Sequence, residues 1–243
     1  MYPTVEEALS VVAAVRDGLE QRARSGPALP RVIVCPPFVA LAPVRAVVQD
    51  ELVDLGAQNC HWEPEGPFTG EVSVPMLAGL VEYVLVGHSE RRATGETDEQ
   101  ISRKVAAVAA NGMVPVLFVG EDEPGAESLG ETERRLRHGL SRIDVARQAV
   151  LVVYEPAWAI GADRAAPAGD VRRAVGHLKA VLAGLGATKP EVLYGGTVCE
   201  ANVDELAGID VLDGLGATRA SLRADGLLRI VDAVRSAGRG MAV

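Results

Sequence analysis

Two short blocks hold the residues best placed to do chemistry, Val86-Gly87-His88-Ser89-Glu90-Arg91-Arg92 and Tyr154-Glu155-Pro156-Ala157-Trp158-Ala159-Ile160-Gly161. Each follows an apolar, β-branched run, so His88 and Glu155 stand at the C-terminal ends of expected strands. A carboxylate desolvated by a closing lid can have its pKa raised enough to take a proton from a carbon beside a carbonyl near neutral pH. Pro156 fixes φ where the chain leaves the strand, and Trp158 offers a bulky anchor, a combination that suits a hinged loop excluding water. Glu90 and the Arg91-Arg92 pair also suit an ion-pair network. His61, His138 and His177 lack such context and are expected at the surface.

The elements that must position these residues alternate along the chain. Apolar runs at 31–35, 52–57, 83–86, 114–119, 149–154, 191–194 and 211–215 read as seven strands. Segments 5–24, 41–48, 74–80, 98–110, 131–140, 171–185, 201–206 and 222–237 have apolar spacing near three and four and read as eight helices. Thr4 with Glu7 three residues on forms an expected capping box ahead of the first helix. Strands alternating with helices imply βαβ units and a parallel sheet, and the regular period favours a closed barrel over an open sheet. The 243 residues suit one domain spanning 1–243, close to the ~250 usual for a (β/α)8 barrel. The count is one strand short of eight, and the shortfall falls at the start.

Composition narrows the function. A net charge of −9 argues against nucleic acid and anionic membranes as partners, but a small anionic substrate remains open if amides and a cation or two converge locally. No run approaches ~20 apolar residues and no signal peptide pattern opens the chain, so a soluble, cytoplasmic protein is expected. Cys35, Cys60 and Cys199 have no CxxC spacing, which points to neither a disulfide framework nor a zinc site. No strand is followed by GxGxxG or GxxxxGK[ST], so a nucleotide-binding α/β protein is disfavoured.

Together with Gly56-Ala57-Gln58-Asn59, Phe118-Val119-Gly120-Glu121 and Tyr194-Gly195-Gly196-Thr197-Val198, the two blocks resemble the triosephosphate isomerase family, with five motifs in the family's order. The resemblance implies an α/β TIM (β/α)8 barrel and a cofactor-free, metal-free aldose–ketose isomerase of a short sugar phosphate. It assigns Glu155 as the base, His88 as electrophile and proton shuttle, and Glu90 as a third catalytic-site residue, near the family's active-site lysine. It places the phosphate on Gly161, on Gly195, Gly196 and Thr197, and on Thr218 and Arg219. The loop Gly66-Pro67-Phe68-Thr69-Gly70-Glu71 resembles the one that reaches a neighbouring subunit, which implies a homodimer.

Three departures accompany the match. The family's first strand, ending in Asn-x-Lys-Met, is lacking from the sequence as written, and Met1 resembles that Met, so a start that was assigned, or truly lies, one strand late is expected. None of Lys104, Lys179 and Lys189 replaces the lost lysine at a strand end. Thr218 and Arg219 stand where the family has paired glycines, and Gly161-Ala162-Asp163-Arg164-Ala165-Ala166-Pro167 replaces the usual lid. Two alternatives follow: an isomerase of a four-carbon tetrulose (erythrulose) phosphate, or a catalytically impaired sugar-phosphate-binding barrel.

Overall fold

The computed structural model describes residues 3–24, 26, 28–48, 52–125, 128–160 and 165–238. The chain enters α1 (Val5–Ala23) through the expected capping box, with Thr4 Oγ1 accepting from the Glu7 N–H and the Glu7 carboxylate accepting from the Thr4 N–H at 2.7 Å. All seven expected strands form: β1 (Ile33–Val34), β2 (Asp54–Ala57), β3 (Tyr83–Val86), β4 (Val114–Val119), β5 (Leu151–Tyr154), β6 (Val192–Tyr194) and β7 (Gly214–Leu215). They pair in sequence order and every pairing is parallel. Among the described residues β1 and β7 are not paired with each other.

Helices cover the outside of this curled sheet: α2 (Phe38–Val47), α3 (Val74–Leu77), α4 (Ser89–Ala93), α5 (Asp98–Ala110), α6 (Ser128–Gly139), α7 (Ala168–Gly184), α8 (Val203–Ala207) and α9 (Ala224–Ser236). Helix α1 packs against both α2 and α9, so the helical layer continues across the sheet's unpaired edges. Period-two alternation splits the strand residues between two cores. Tyr83, Val116, Phe118, Leu151, Val153 and Leu193 fill the interior of the barrel. Val84, Val86, Leu117, Val119, Val152 and Val192 belong to the larger core between sheet and helices.

Several boundaries differ from the sequence reading, each for a local reason. Helices α2 and α7 start three residues early because Pro37 and Pro167, extended at the N-cap, hand the chain directly into the first turn. Helix α3 stops at Leu77 instead of residue 80, since Gly79 takes φ +76°. Helix α4 was not anticipated; five residues are too few to show a helical period. Among the described residues no helix is long and apolar enough to cross a membrane.

Candidate active site

Because every strand runs the same way, the residues after Val86, Val119, Tyr154 and Tyr194 all emerge at one end of the sheet, and the registers Val86↔Leu117, Val119↔Tyr154 and Tyr154↔Tyr194 set them side by side. Gly87 leaves β3 with φ +78°, a conformation that favours glycine, and swings His88 to the N-cap of α4. There His88 Nδ1 accepts the Glu90 N–H at 3.2 Å, so in the neutral ring the proton sits on Nε2. Nε2 lies 2.9 Å from Glu155 Oε1, although that oxygen has no aligned hydrogen bond. The other oxygen, Oε2, accepts the Ser89 N–H at 2.8 Å, in the first turn of α4. The Glu155 side chain is only 3% exposed, against 20% for His88.

Burial works against the charged imidazolium, but the Glu155 carboxylate opposite and the Glu90 charge outweigh it, and the His88 pKa is raised above the ordinary 6.5. Phe118 meets the imidazole edge-on at 5.0 Å between ring centroids. His88 and Glu155 converge, whereas Glu90 is exposed and touches the imidazole through its backbone N–H.

A second group lies behind this pair. Glu155 N and Ala157 N donate to Val119 O (2.8 Å) and Glu121 O (2.9 Å), extending the β4–β5 ladder past Gly120. Glu121 is 3% exposed and its carboxylate accepts from Tyr154 Oη (2.9 Å), Trp158 Nε1 (3.0 Å) and Thr132 Oγ1 (2.9 Å). Burial, then the Glu121 charge, push the Tyr154 phenol well above its usual range, so it stays a donor. Trp158 thereby ties the start of the loop after β5 to the barrel. Its far end is held by Ala166 N donating to Tyr194 Oη at 3.0 Å, and Thr197 Oγ1 donates to Ala159 O at 2.8 Å. Gly161, expected in this loop, lies outside the described residues.

The turn after β6 is shaped by packing. A Cβ on Gly195 would sit 2.4 Å from Val153 Cγ1, and one on Gly196 would sit 2.1 Å from Tyr194 Oη. The Gly195 N–H is taken up by Tyr154 O at 2.9 Å, so this glycine supplies clearance while its amide belongs to the sheet. Among the described residues the amides of Gly196, Thr218 and Arg219 make no hydrogen bond, which leaves them as donors for an anion. Thr218 and Arg219 are exposed just beyond β7, and among the described residues the Arg219 guanidinium has no ionic or hydrogen-bonded partner.

The lysines stand elsewhere. Lys179 pairs with Asp213 at 2.7 Å and Lys189 with Glu191 at 2.8 Å. Lys104 is buried, donates to Asn59 Oδ1 at 2.8 Å and is paired with Glu96, so it comes near the loop after β2 with its charge already matched. His61 is a correction to the sequence reading. It is 7% exposed, stacked between Trp62 (4.2 Å) and Phe68 (4.3 Å), because the loop after β2 folds its aromatic residues back over it. His138 and His177 are partly exposed on their helices, His177 beside Glu133 at 2.7 Å.

Comparison with known proteins matches the family model described as triosephosphate isomerase to residues 1–234. The chain belongs to the triosephosphate isomerase family. A triosephosphate isomerase of Chloroflexus aurantiacus is 40% identical over 242 residues, covering 95% of this chain and 94% of that protein. One from Dehalococcoides mccartyi strain CBDB1 is 34% identical over 239 residues, covering 95% and 91% respectively. The crystal structure of the triosephosphate isomerase of Bartonella henselae superposes with a TM-score of 0.84 at 30% identity, covering 97% of this chain and 95% of that one. The protein is accordingly an α/β isomerase of the TIM-barrel type. Within this triosephosphate isomerase fold, sequence reasoning missed the Ser89 amide that holds Glu155 and the function of Glu121 as the anchor of Trp158. The motif Phe118-Val119-Gly120-Glu121, an acid directly after an apolar strand, was the available signal for the second.

Proposed function

We propose that the protein, one domain over residues 1–243, interconverts dihydroxyacetone phosphate and glyceraldehyde 3-phosphate through a cis-enediolate, without cofactor or metal. The observation that carries this is the His88–Glu155 pair, set 2.9 Å apart across the ends of β3 and β5. Glu155 leaves the Ser89 amide and takes a proton from the hydroxyl-bearing carbon. The C–H electrons form the carbon–carbon double bond, and the carbonyl oxygen takes the negative charge. His88 Nε2–H donates to the two oxygens and passes a proton between them, and Glu155 returns its proton to the neighbouring carbon. Once Glu155 has swung away, the remaining effect of burial disfavours an imidazolium, which suits a neutral donor.

Gly161, Gly195, Gly196, Thr197 and Thr218 shape the phosphate site, and the Arg219 side chain adds a cation where amides alone would otherwise act. Glu90 sets the imidazole through its backbone. The relatives' names favour a triose over a four-carbon substrate. A cytoplasmic homodimer fits this reading, with the loop at 66–71 and exposed Phe68 (40%) and Met76 (65%) on the contact face.

The test is kcat/KM on glyceraldehyde 3-phosphate beside erythrulose phosphate. Turnover of the triose phosphate as the better substrate is expected; preference for the tetrulose, or turnover of neither, overturns the assignment. Arg219→Gln is expected to raise KM for the triose phosphate about tenfold, equivalent to about 1.4 kcal/mol, and to weaken its dependence on ionic strength. An unchanged KM removes Arg219 from the phosphate site.

A further inference from the structure

Two arginines that the proposed chemistry does not use lie directly behind the His88–Glu155 pair. Arg92, in α4, donates from Nε to Gly87 O at 3.0 Å and from Nη1 to Asp98 Oδ1 at 2.6 Å. Arg135, in α6, donates from Nη1 to Gly120 O at 2.7 Å while its Nη atoms engage Asp122, at 2.7 Å from Nη2, and Nη2 lies 2.6 Å from Glu131. Their side chains are 15% and 11% exposed. Both line a cleft that runs from Ser89 and Glu90, next to His88 in sequence, to Ala157 and Ile160 at the start of the loop after β5.

The two carbonyls they hold are particular ones. Gly87 is the positive-φ residue immediately before His88, and its rotation decides where the imidazole lies. Gly120 sits flat against the Glu155 backbone, where a Cβ would approach the Glu155 carbonyl oxygen to 2.1 Å. Its neighbours Val119 and Glu121 bond to the β5 side through their carbonyls, so the Gly120 carbonyl points away and Arg135 completes it.

Stability alone is a poor reason for these side chains. Among the described residues Arg92 Nη2 and Arg135 Nε are buried without partners, and leaving such donors unmet costs stability. The planar fork of a guanidinium can grip a carbonyl and a carboxylate together, which a single ammonium on a flexible stem cannot do with the same rigidity.

We infer that Arg92 and Arg135 are positioning residues for the isomerisation, each fixing the glycine carbonyl that sets one member of the His88–Glu155 pair. Asp98 and Asp122 act through them. Asp98 is pushed up by burial but held lower overall by hydrogen bonds from Arg92 and Arg134, so it stays ionised as the arginines' brace. The inference rests on the isomerase reading of the site, and its test separates the two.

In the full-length protein, Arg92→Met and Arg135→Met are expected to lower kcat by about ten- to a hundredfold, as a misplacement near 1 Å would, with KM kept within roughly twofold. The His88 imidazole, followed by NMR titration, should shift toward lower pKa, in the direction given by Glu155→Gln. Arg92→Lys and Arg135→Lys restore the ion pairs without the bridge, so they should recover Tm while kcat stays low. Recovery of kcat together with Tm in the Lys variants would show a merely structural role and overturn the inference, as would folded Met variants with unchanged kcat and His88 titration. If the Met variants do not fold, the Lys variants decide. If the wild type turns over neither sugar phosphate, the functional proposal fails, and the His88 titration alone decides whether the arginines position the pair.

Discussion

Glu155→Gln is expected to lower kcat by about 10²- to 10⁴-fold with the fold intact. Gln has the same shape, and its amide oxygen can still accept the Ser89 N–H that Glu155 Oε2 takes at 2.8 Å. What it cannot do is carry a proton from carbon. The same change removes the larger of the two charges that raise His88, leaving burial dominant, so the imidazole should titrate below the ordinary 6.5 instead of above it. In the wild type the acid limb of kcat/KM, which reports the free enzyme, should then fall above 6.5, where a protonated His88 clamps the base. The sign for stability runs the same way. A raised imidazole pKa contributes stability that is complete below the unfolded value of about 6.5 and is lost as pH climbs through the folded value. A Gln variant with more than a tenth of wild-type kcat would remove Glu155 from the base role.

Gly120→Ala is expected to cost about 3 kcal/mol in urea unfolding and to depress activity as well. The added methyl would lie 2.1 Å from Glu155 O, 2.5 Å from its carbonyl carbon and 2.9 Å from Pro156 N. These are backbone atoms, so no rotamer change relieves the clash, and β4 and β5 must separate where Glu155 stands. Gly130→Ala is the control. It lies within α6 with nothing within 4 Å of its new methyl, and it should be neutral or stabilising by up to about 1 kcal/mol. Equal stability of the two variants would mean that the contact at Gly120 yields more easily than its geometry implies.

The sequence made His88 and Glu155 legible because each follows a β-branched run whose end is easy to place. Their distance was not legible, since 66 residues separate Ser89 from Glu155 and only the parallel register brings them together. Glu121 looked like any acid after a strand; three donors from β5, the following loop and α6 give it a buried function that no local pattern encodes. Arg92 and Arg135 were hidden for a similar reason, because their targets are main-chain carbonyls, which every residue has. His61 was misplaced because loop residues are expected outside, and stacking on Trp62 and Phe68 is a property of the folded loop.

Helix α1 touches both α2 and α9, and Arg22 grips Asp232 with two bonds of 2.7 Å across 210 positions of sequence. On a ribosome adding about 5–20 residues per second, α1 must wait roughly ten to forty seconds for α9 to be made. During that interval α1, with its stripe of Ala8, Val12, Val15 and Leu19 that is buried in the folded protein, lacks α9 as a packing partner. The apolar side of α1 is therefore a surface left open during synthesis, and one that a holdase chaperone would protect.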